Sequence, residues 1–206
     1  MTYETLIHVL PVLVAFAFVS SVTPGPNNLM LMASGANFGF WRTGPHMLGV
    51  AIGFVVMVVL VGVGLVQAFD AYPVSYDVLK IVSVGYLLHL AWKIATAGAP
   101  SGAGAEKGGR PFTFLQAALF QWVNPKAWAM ALTAISVYAP DASLAAVGVV
   151  ALVFGVVNLP TVSSWVLLGQ ELRRILTNQA RLRAFNWTMA ALLVLSLYPV
   201  LVPSAG

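Results

Sequence analysis

Two proline clusters interrupt apolar runs of this chain that are long enough to cross a membrane. Residues 23–28 read Thr-Pro-Gly-Pro-Asn-Asn, and residues 124–126 read Asn-Pro-Lys. Proline has no amide proton and its ring clashes with the preceding turn, so a helix cannot pass through either cluster unbroken. A bilayer core holds no water for the freed backbone groups, and broken helices persist there only where protein or a polar cavity covers them. The clusters therefore predict a ligand site inside a membrane protein, as is typical of a transporter.

The composition places the chain in the membrane. Hydrophobic residues make up 60% of the 206 residues and charged residues only 8%, a balance far from that of soluble globular domains. Apolar runs of about 20 residues, the length that crosses a bilayer, cover residues 6–31, 47–69, 74–95, 112–138, 144–168 and 184–202. The sequence therefore predicts an all-α membrane protein with six transmembrane helices, of which helices 1 and 4 are broken by the proline clusters. The chain has no cysteine, which excludes disulfides, thiolate metal sites and thiol catalysis.

The charged residues indicate how the chain is oriented. Eight of the ten lysines and arginines follow the first, third and fifth apolar runs, namely Arg42, Lys93, Lys107, Arg110, Arg173, Arg174, Arg181 and Arg183. The acidic residues on the opposite side are Glu4, Asp70, Asp77 and Asp141. By the positive-inside rule, we expect the basic loops to be cytoplasmic and both termini to be outside. The net charge of +4 therefore indicates orientation and no nucleic-acid partner.

A glycine-rich segment, residues 98–110, divides the chain into two halves. It has no apolar periodicity, and we expect it to be a flexible cytoplasmic linker within a single transport domain, residues 1–206. The halves, about 1–97 and about 111–206, each contain three predicted spans. Since three is odd, the second half would run opposite to the first, as the inverted repeats of secondary transporters do. The two broken helices then hold matching positions.

The second apolar run contains a pair of glycines, Gly49 and Gly53, in G-x-x-x-G spacing. Such a pair lets another helix approach closely. Because the pair follows a broken first helix, it predicts that spans one and two pack tightly.

The predicted breaks expose backbone groups that suit an amino acid. The prolines free the carbonyls of Ser20, Val22 and Gln121 from their helical donors, and a freed carbonyl accepts a hydrogen bond from an ammonium group. Lys126 adds a positive charge inside the fourth span, where an ionisable residue is a functional-site hypothesis by default.

A helix that begins at Pro26 would present the unpaired amides of Asn27, Asn28 and Leu29, and such amides attract a carboxylate. One site could thus hold both ends of a zwitterion. The candidate substrate-binding residues are Ser20, Pro24, Gly25, Pro26, Asn27, Asn28, Gln121, Asn124, Pro125 and Lys126. The alternatives are a simple helix kink at the first cluster and a lysine that extends along the helix toward the interface.

Further polar and aromatic residues lie near the second cluster and in the fifth span. Trp122 and Trp128 flank the second cluster and could either line the cavity or pack against neighbours. The fifth span carries a polar run that includes Asn158 and Ser163. Repair of the break at Pro160 by hydroxyl groups is the favoured interpretation of this run, and cavity lining is the alternative.

Four segments in order resemble the signatures of the LysE/RhtB family of bacterial amino-acid exporters. They are residues 23–28, the glycine pair with Phe54, residues 85–93 with the sequence GYLLHLAWK, and residues 120–126 with the sequence FQWVNPK. Within the family, the chain looks most similar to the cysteine and O-acetylserine exporters. The resemblance implies a six-span inner-membrane protein that exports small amino acids or their derivatives, driven by the proton gradient and assembled as a homodimer.

The chain departs from the family where many members carry carboxylates, since it has Phe54 after the glycine pair and Asn158 in the fifth span. No carboxylate remains in any predicted membrane core, so a carboxylate proton relay is excluded and export of metal cations is disfavoured. The candidates for proton coupling are His46, His89 and Lys126. A packing role for His89 and an interfacial one for His46 are favoured, and a substrate that flows down its own gradient would need none of them.

These observations predict a secondary exporter of small neutral amino acids or derivatives, of the cysteine/O-acetylserine or threonine/homoserine kind, that works by alternating access. We expect no enzyme activity, because the polar residues at membrane depth do not combine a nucleophile, a base and an orienting acid. We also expect no cofactor and no metal site. The alternatives are a membrane assembly subunit without transport of its own and an exporter of a different small metabolite.

Overall fold

The computed structural model describes residues 3–97 and 110–198, and every regular element in these two ranges is a helix. The first half contains α1 (Tyr3–Val22), α2 (Pro26–Phe38), α3 (Phe40–Leu60), a π-helical turn (Val61–Leu65), α4 (Val66–Ala71) and α5 (Val74–Ala95). The second half contains α6 (Phe114–Phe120), a 3₁₀ turn (Gln121–Val123), α7 (Pro125–Tyr138), α8 (Leu144–Leu172) and α9 (Gln179–Leu195). Except for Arg110, the predicted linker lies outside the described residues.

Several helices have the length and apolar character of membrane spans. Within the described ranges, three helical stretches are each long and apolar enough to cross a membrane, namely Phe40–Ala71, Val74–Ala95 and Leu144–Leu172. A fourth span is formed if His8–Val22 and Pro26–Phe38, which are bent by 56° at the first proline cluster, count as one broken span. The helices α6, α7 and α9 occupy the remaining predicted runs but are shorter. The chain is thus a multi-pass helical membrane protein, and the count of six spans stays a prediction.

The first break lies where the proline cluster predicts it. The chain leaves α1 after Val22 and enters α2 at Pro26, with Gly25 between them in an extended conformation (φ −175°). The side-chain amide of Asn28 donates to the carbonyls of Ser21 and Thr23, both at 2.8 Å. Asn28 therefore supplies donors at the end of α1 that the backbone cannot supply there.

The second break has the same local design. A 3₁₀ turn ends α6, and the side chain of Asn124 then accepts a hydrogen bond from the Lys126 amide at 3.2 Å, which caps α7. Pro125 occupies the first turn of α7, as Pro26 does in α2. Proline suits this position because its missing amide would have no helical acceptor there.

The glycine pair of the second run does not serve the contact that the sequence predicts. A β-carbon at Gly53 would lie 2.6 Å from the α-carbon of Ala118, and one at Gly49 would lie 2.7 Å from the β-carbon of Ala117. The pair therefore packs α3 tightly against α6 of the other half, and these two helices run in the same direction. Spans one and two contact each other through other residues, since Leu31 of α2 packs with Met47 and Val50 of α3, so only the expected role of the glycines is wrong. Spacing shows that a close neighbour exists, but any helix of the bundle can be that neighbour.

The tightest contact of the first span is made by α2 with α8. Of the thirteen residues of α2, eleven are buried. A β-carbon at Gly35 would overlap the backbone of Val166, and one at Gly169 would overlap the backbone of Met32. Because the two helices approach at glycines, their backbones come closer than larger side chains would allow.

Packing of α3 against α8, between the two halves, completes the core. Phe54 of α3 lies edge to face with Phe154 of α8, with ring centroids 5.1 Å apart. A β-carbon at Gly62, further along the same span, would meet Val147, so these two spans run in opposite directions. The middle helix of each half is thus buried against the other half, and the broken helices lie beside this central pair.

Candidate substrate-binding site

The two breaks meet at a small cavity between the halves of the chain. It has a volume of about 30 Å³. Its lining residues are Ser20, Ser21, Gly25, Asn27, Asn28, Val50, Phe54, Asn124, Lys126, Ala127, Met130, Asn158 and Val162. The structure thus brings residues from the first proline cluster, the second proline cluster and the fifth predicted span to one place.

Lys126 crosses from the second break to the first. Its ammonium group donates to the carbonyl of Thr23 at 2.5 Å and approaches the carbonyl of Pro24 at 3.4 Å. Its stem passes over Gly25, where a β-carbon would lie 2.6 Å from Cδ of the lysine. Lys126 therefore turns into the protein instead of extending toward the interface, and Gly25 leaves the room for it.

The carbonyls that hold this ammonium group are not the ones that the sequence predicts. The carbonyl of Val22 accepts from the indole of Trp165 at 3.2 Å, and that of Gln121 accepts from the amide of Asn124 at 3.2 Å. The bent backbone before Gly25 directs the Thr23 and Pro24 carbonyls into the site instead. Counting four residues back from a proline finds which carbonyls lose a donor, but it does not show which other donors the fold brings to them.

Asn27 and Gln121 form a reciprocal amide pair across the two breaks. Asn27 donates to the Gln121 side-chain oxygen at 2.8 Å, and the Gln121 amide donates back at 3.2 Å. Gln121 is fully buried and also donates to the carbonyl of Ala117 at 2.9 Å. The pair ties the start of α2 to the end of α6, so it holds the two halves together beside the cavity.

Asn158 and Ser21 are the polar side chains that remain free to bind a ligand. Asn158 lines the cavity, is 6% exposed, and makes no hydrogen bond to any residue that the structure describes. The hydroxyl of Ser21 is buried and has no partner among the same residues. Ser20 is different, because its hydroxyl already bonds the carbonyl of Phe16 at 2.6 Å. Sequence reasoning named Ser20 and missed Ser21, although the adjacent serines directly before the break were the available signal.

The charge around the cavity is positive. The ammonium of Lys126 lies beside the first turns of α2 and α7, which carry the positive end of each helix dipole. Leu29 does not contribute as predicted, because its amide donates to the Gly25 carbonyl at 3.0 Å. The single ion pair within the described ranges, Arg174 with Glu171, lies elsewhere at an exposed position. A ligand carboxylate would supply the negative charge that this site lacks.

The cavity is too small for an amino acid as it stands. Its volume of about 30 Å³ matches the share of one water molecule in the liquid. Phe54 and Met130 form part of its apolar wall, together with Val50, Ala127 and Val162. Binding of an amino acid therefore requires the two halves to separate or the Lys126 side chain to move.

Several candidates from the sequence lie away from this cavity. Trp122 and Trp128 pack against each other, with ring centroids 6.0 Å apart, and the Trp128 indole donates to the Trp122 carbonyl. The Ser163 hydroxyl bonds the Leu159 carbonyl at 2.7 Å, one turn back along its own helix, and not the carbonyl of Val156 that Pro160 leaves without a helical donor. These aromatic and hydroxyl groups are occupied by packing and by their own helix, so they do not line the site.

The two histidines also lie outside the small cavity. His89 is exposed on α5 and stacks on Tyr86 with ring centroids 6.3 Å apart. His46 is buried on α3, 5.1 Å from the ring of Phe112, and lines a second cavity. Of the three candidates for proton coupling, Lys126 alone is at the site where the breaks meet.

The second cavity has a volume of about 310 Å³ and lies toward the other end of α2. Its lining residues are Met30, Ala33, Ser34, Asn37, Phe38, His46, Leu90, Lys93, Ile94, Thr96, Ala97, Arg110, Pro111 and Phe112. It lies at the end of the bundle that the charge pattern predicts to be cytoplasmic.

Comparison with known proteins gives a consistent set of relatives. The family model described as LysE type translocator matches residues 18–197. The chain is 28% identical over 184 residues to the cysteine/O-acetylserine efflux protein of Escherichia coli (strain K12), a match that covers 87% of the chain and 90% of that relative. Proteins of the same name from Shigella sonnei (strain Ss046) and Escherichia coli O6:K15:H31 are also 28% identical, over 184 and 182 residues, with the same coverage. No solved structure matches the chain.

Proposed function

Because the chain belongs to the LysE type translocator family, we propose that it exports a small neutral amino acid or derivative across the inner membrane by alternating access. Members of this family are translocators, so the protein is a transporter and not an enzyme. The relatives named as cysteine/O-acetylserine efflux proteins make O-acetylserine and cysteine the first substrates to test. Threonine and homoserine are the next, since they have a similar size and the same zwitterionic backbone.

One observation carries this proposal, namely that Lys126 and the starts of α2 and α7 line the same cavity. Unwound segments with helix N-termini that point at a carboxylate are a recurrent design of amino-acid transporters. The Asn158 amide and the unpaired Ser21 hydroxyl add hydrogen-bonding groups without charge. A site with one cation and no carboxylate favours a neutral amino acid over a basic one, because a second cation would have no counter-ion.

The position of Lys126 indicates how a zwitterion would enter. Its ammonium group rests on the carbonyls of Thr23 and Pro24, which are also suitable acceptors for a substrate ammonium group. In the proposed exchange, Lys126 leaves these carbonyls and pairs with the substrate carboxylate, while the substrate ammonium takes its place. Both carbonyls then keep a charged donor, and the carboxylate of the substrate pairs with Lys126, so the exchange leaves no charge unpaired.

Alternating access would follow from relative motion of the two halves. The amide pair of Asn27 and Gln121 joins the halves at the break, so it must open when the site opens toward the larger cavity. With the basic loops cytoplasmic, that cavity faces the cytoplasm and the termini face the periplasm. Lys126 and His46 are the titratable groups in the lining of the small cavity and of the buried part of the larger one, so we expect any dependence on a pH gradient to change with these two residues.

The test is uptake into inside-out vesicles that contain the protein. Labelled O-acetylserine, cysteine, threonine and lysine are supplied with an imposed pH gradient that is either present or collapsed. We expect saturable uptake of a neutral substrate and little uptake of lysine. Loss of uptake on collapse of the gradient would indicate proton coupling.

Two variants connect the result to the site. Lys126→Met keeps the length of the stem and removes the charge, and we expect it to lower uptake at least tenfold. Lys80→Met removes an exposed lysine of α5 and should transport normally at the same amount of membrane protein. Normal transport by Lys126→Met would refute the site, and absence of uptake of every neutral substrate would favour an assembly subunit or another cargo.

A further inference from the structure

The larger cavity is formed by one face of α2 together with α3, α5 and the segment before α6. The residues of α2 that line it are Met30, Ala33, Ser34, Asn37 and Phe38, which follow the spacing of one helix face. Its volume of about 310 Å³ is tenfold that of the small cavity. It lies within the range of small-molecule sites, so it can accept an amino acid without prior opening.

Two cations flank this cavity, and no carboxylate lines it among the described residues. Lys93 and Arg110 are both exposed at its edge. The ammonium group of Lys93 lies 5.4 Å from the centre of the Phe112 ring, and the ring of His46 lies 5.1 Å from the same ring. The potential inside is therefore positive, which favours an anionic group.

His46 gives an independent indication of a ligand. Its side chain is only 2% exposed, it lines the cavity, and neither ring nitrogen has a hydrogen-bond partner among the described residues. The neighbouring polar groups are satisfied, since Ser34 bonds Thr43 at 2.9 Å and Asn37 bonds Asn186 at 3.0 Å. A buried imidazole without partners is costly, and a ligand with hydrogen-bonding groups would remove that cost.

We propose that this cavity is a second binding site, in which Lys93, Arg110 and His46 hold the carboxylate of an amino acid before it reaches the central site. We call it the waiting site, and it rests on the proposed function because its ligand is the transported substrate. The face of α2 continues from Asn37 back to Asn27, ten residues or about 15 Å of helix, so one helix passes from the waiting site to the central site.

A layer of apolar side chains separates the two sites. Met30, Leu90 and Phe120 are at most 4% exposed and belong to one packed cluster. The Asn27–Gln121 pair lies beside them, because Gln121 directly follows Phe120. A substrate in the waiting site is thus outside this layer, and the opening of the amide pair would let it pass.

The absence of cysteine from the sequence allows a direct test by thiol labelling. Thr96 is exposed and lines the waiting site, so the Thr96→Cys variant of the full chain places a reporter there. The probes are two methanethiosulfonates, one with an anionic ethylsulfonate group and one with a cationic ethyltrimethylammonium group. The ratio of their reaction rates with free glutathione, anionic over cationic, is the reference ratio.

We expect the ratio of anionic to cationic labelling rates at Thr96→Cys to be at least fivefold above the reference ratio. The double variant Lys93→Gln with Arg110→Gln should remove this preference. The matched control is Arg173→Gln with Arg183→Gln, which removes two exposed cations of the second half and should leave the ratio unchanged. An unchanged ratio in the Lys93 and Arg110 double variant would overturn the charge assignment. Salt should weaken the preference, since exposed charges are screened over about 8 Å at physiological ionic strength.

Protection from labelling identifies the ligand. Millimolar threonine and O-acetylserine are both tested, whatever their uptake in the vesicle assay, and at least one of them should slow labelling at least threefold. Its analogue without the carboxylate, 1-amino-2-propanol or O-acetylethanolamine, should not. Protection should persist in Lys126→Met, because the central site is not needed for it, and should weaken in His46→Leu. Equal protection by acetate, or equal protection by amino acid and amine, would overturn a waiting site for the substrate.

The two proposals can fail separately. Uptake without any protection at Thr96→Cys would overturn the waiting site and leave the exporter standing. Protection without uptake would refute the exporter, and selective protection by the amino acid would then support the second site alone.

Discussion

Replacement of Gly25 by alanine tests the position of Lys126 more strictly than removal of the lysine itself. The new β-carbon would lie 2.6 Å from Cδ and 3.2 Å from Nζ of Lys126. Carbon atoms in contact prefer about 3.5–4.0 Å, so the lysine side chain must move by about 1 Å. Its hydrogen bonds to the carbonyls of Thr23 and Pro24 would then be lost or weakened.

The magnitude follows from these hydrogen bonds. A bond that involves a charged group contributes about 1.5–3 kcal/mol. We therefore expect Gly25→Ala to lower the free energy of unfolding by about 1.5–3 kcal/mol. Uptake should not fall as it does in Lys126→Met, because the proposed exchange breaks these same bonds when the substrate binds. The fold should persist, because Gly25 is in extended backbone that any residue adopts (φ −175°) and the displaced group is a flexible side chain.

The assay is uptake in inside-out vesicles, with thermal unfolding of the purified protein measured in parallel. The matched control is Gly85→Ala, since a β-carbon at Gly85 meets nothing within 4 Å, and it should change neither quantity by much. Lys126→Ala removes the clashing atoms, so Gly25→Ala should destabilise that background less than it destabilises the original chain. An unfolding temperature of Gly25→Ala equal to that of the original chain would refute the position of Lys126 over Gly25.

Two further predictions concern the contacts that hold the halves together. Gly35→Ala places a β-carbon into the backbone of Val166, so we expect a loss of about 1–3 kcal/mol of stability, seen as a lower unfolding temperature; an unchanged temperature would mean that α2 and α8 are further apart than described. Asn27→Ala and Gln121→Ala each break the reciprocal amide pair, and a double-mutant cycle on unfolding should give a coupling of at least about 0.5 kcal/mol, whereas additive effects would show that the pair is not formed.

The local features of the site were predictable because they depend on neighbouring residues. The absence of an amide at Pro24, Pro26 and Pro125 breaks the helices wherever the rest of the chain lies. The start of α2 at Pro26 and the capping of α7 by Asn124 follow from the same local chemistry.

The partners of these features were not predictable, because they depend on residues far apart in sequence. Ser20 and Ser21 are adjacent, yet only Ser21 has a free hydroxyl in the cavity, since the rotation of α1 turns the two side chains to different neighbours. His46 and His89 have the same side chain, and the sequence does not distinguish them. In the structure His46 is buried beside a cavity and His89 is exposed.

The order of the amino acids is enough to show that this protein is a helical membrane protein with two breaks, and that a lysine and several amide side chains lie at them. The packing of the helices is needed to show that Lys126 binds the carbonyls of Thr23 and Pro24, more than 100 residues away in the chain. It is also needed to show that the glycines Gly49 and Gly53 face α6. The physical reason is that proline and composition act on the segment that contains them. The partner of a charged side chain, or of a helix face with glycines, is instead whichever group the packing of the helices brings within reach.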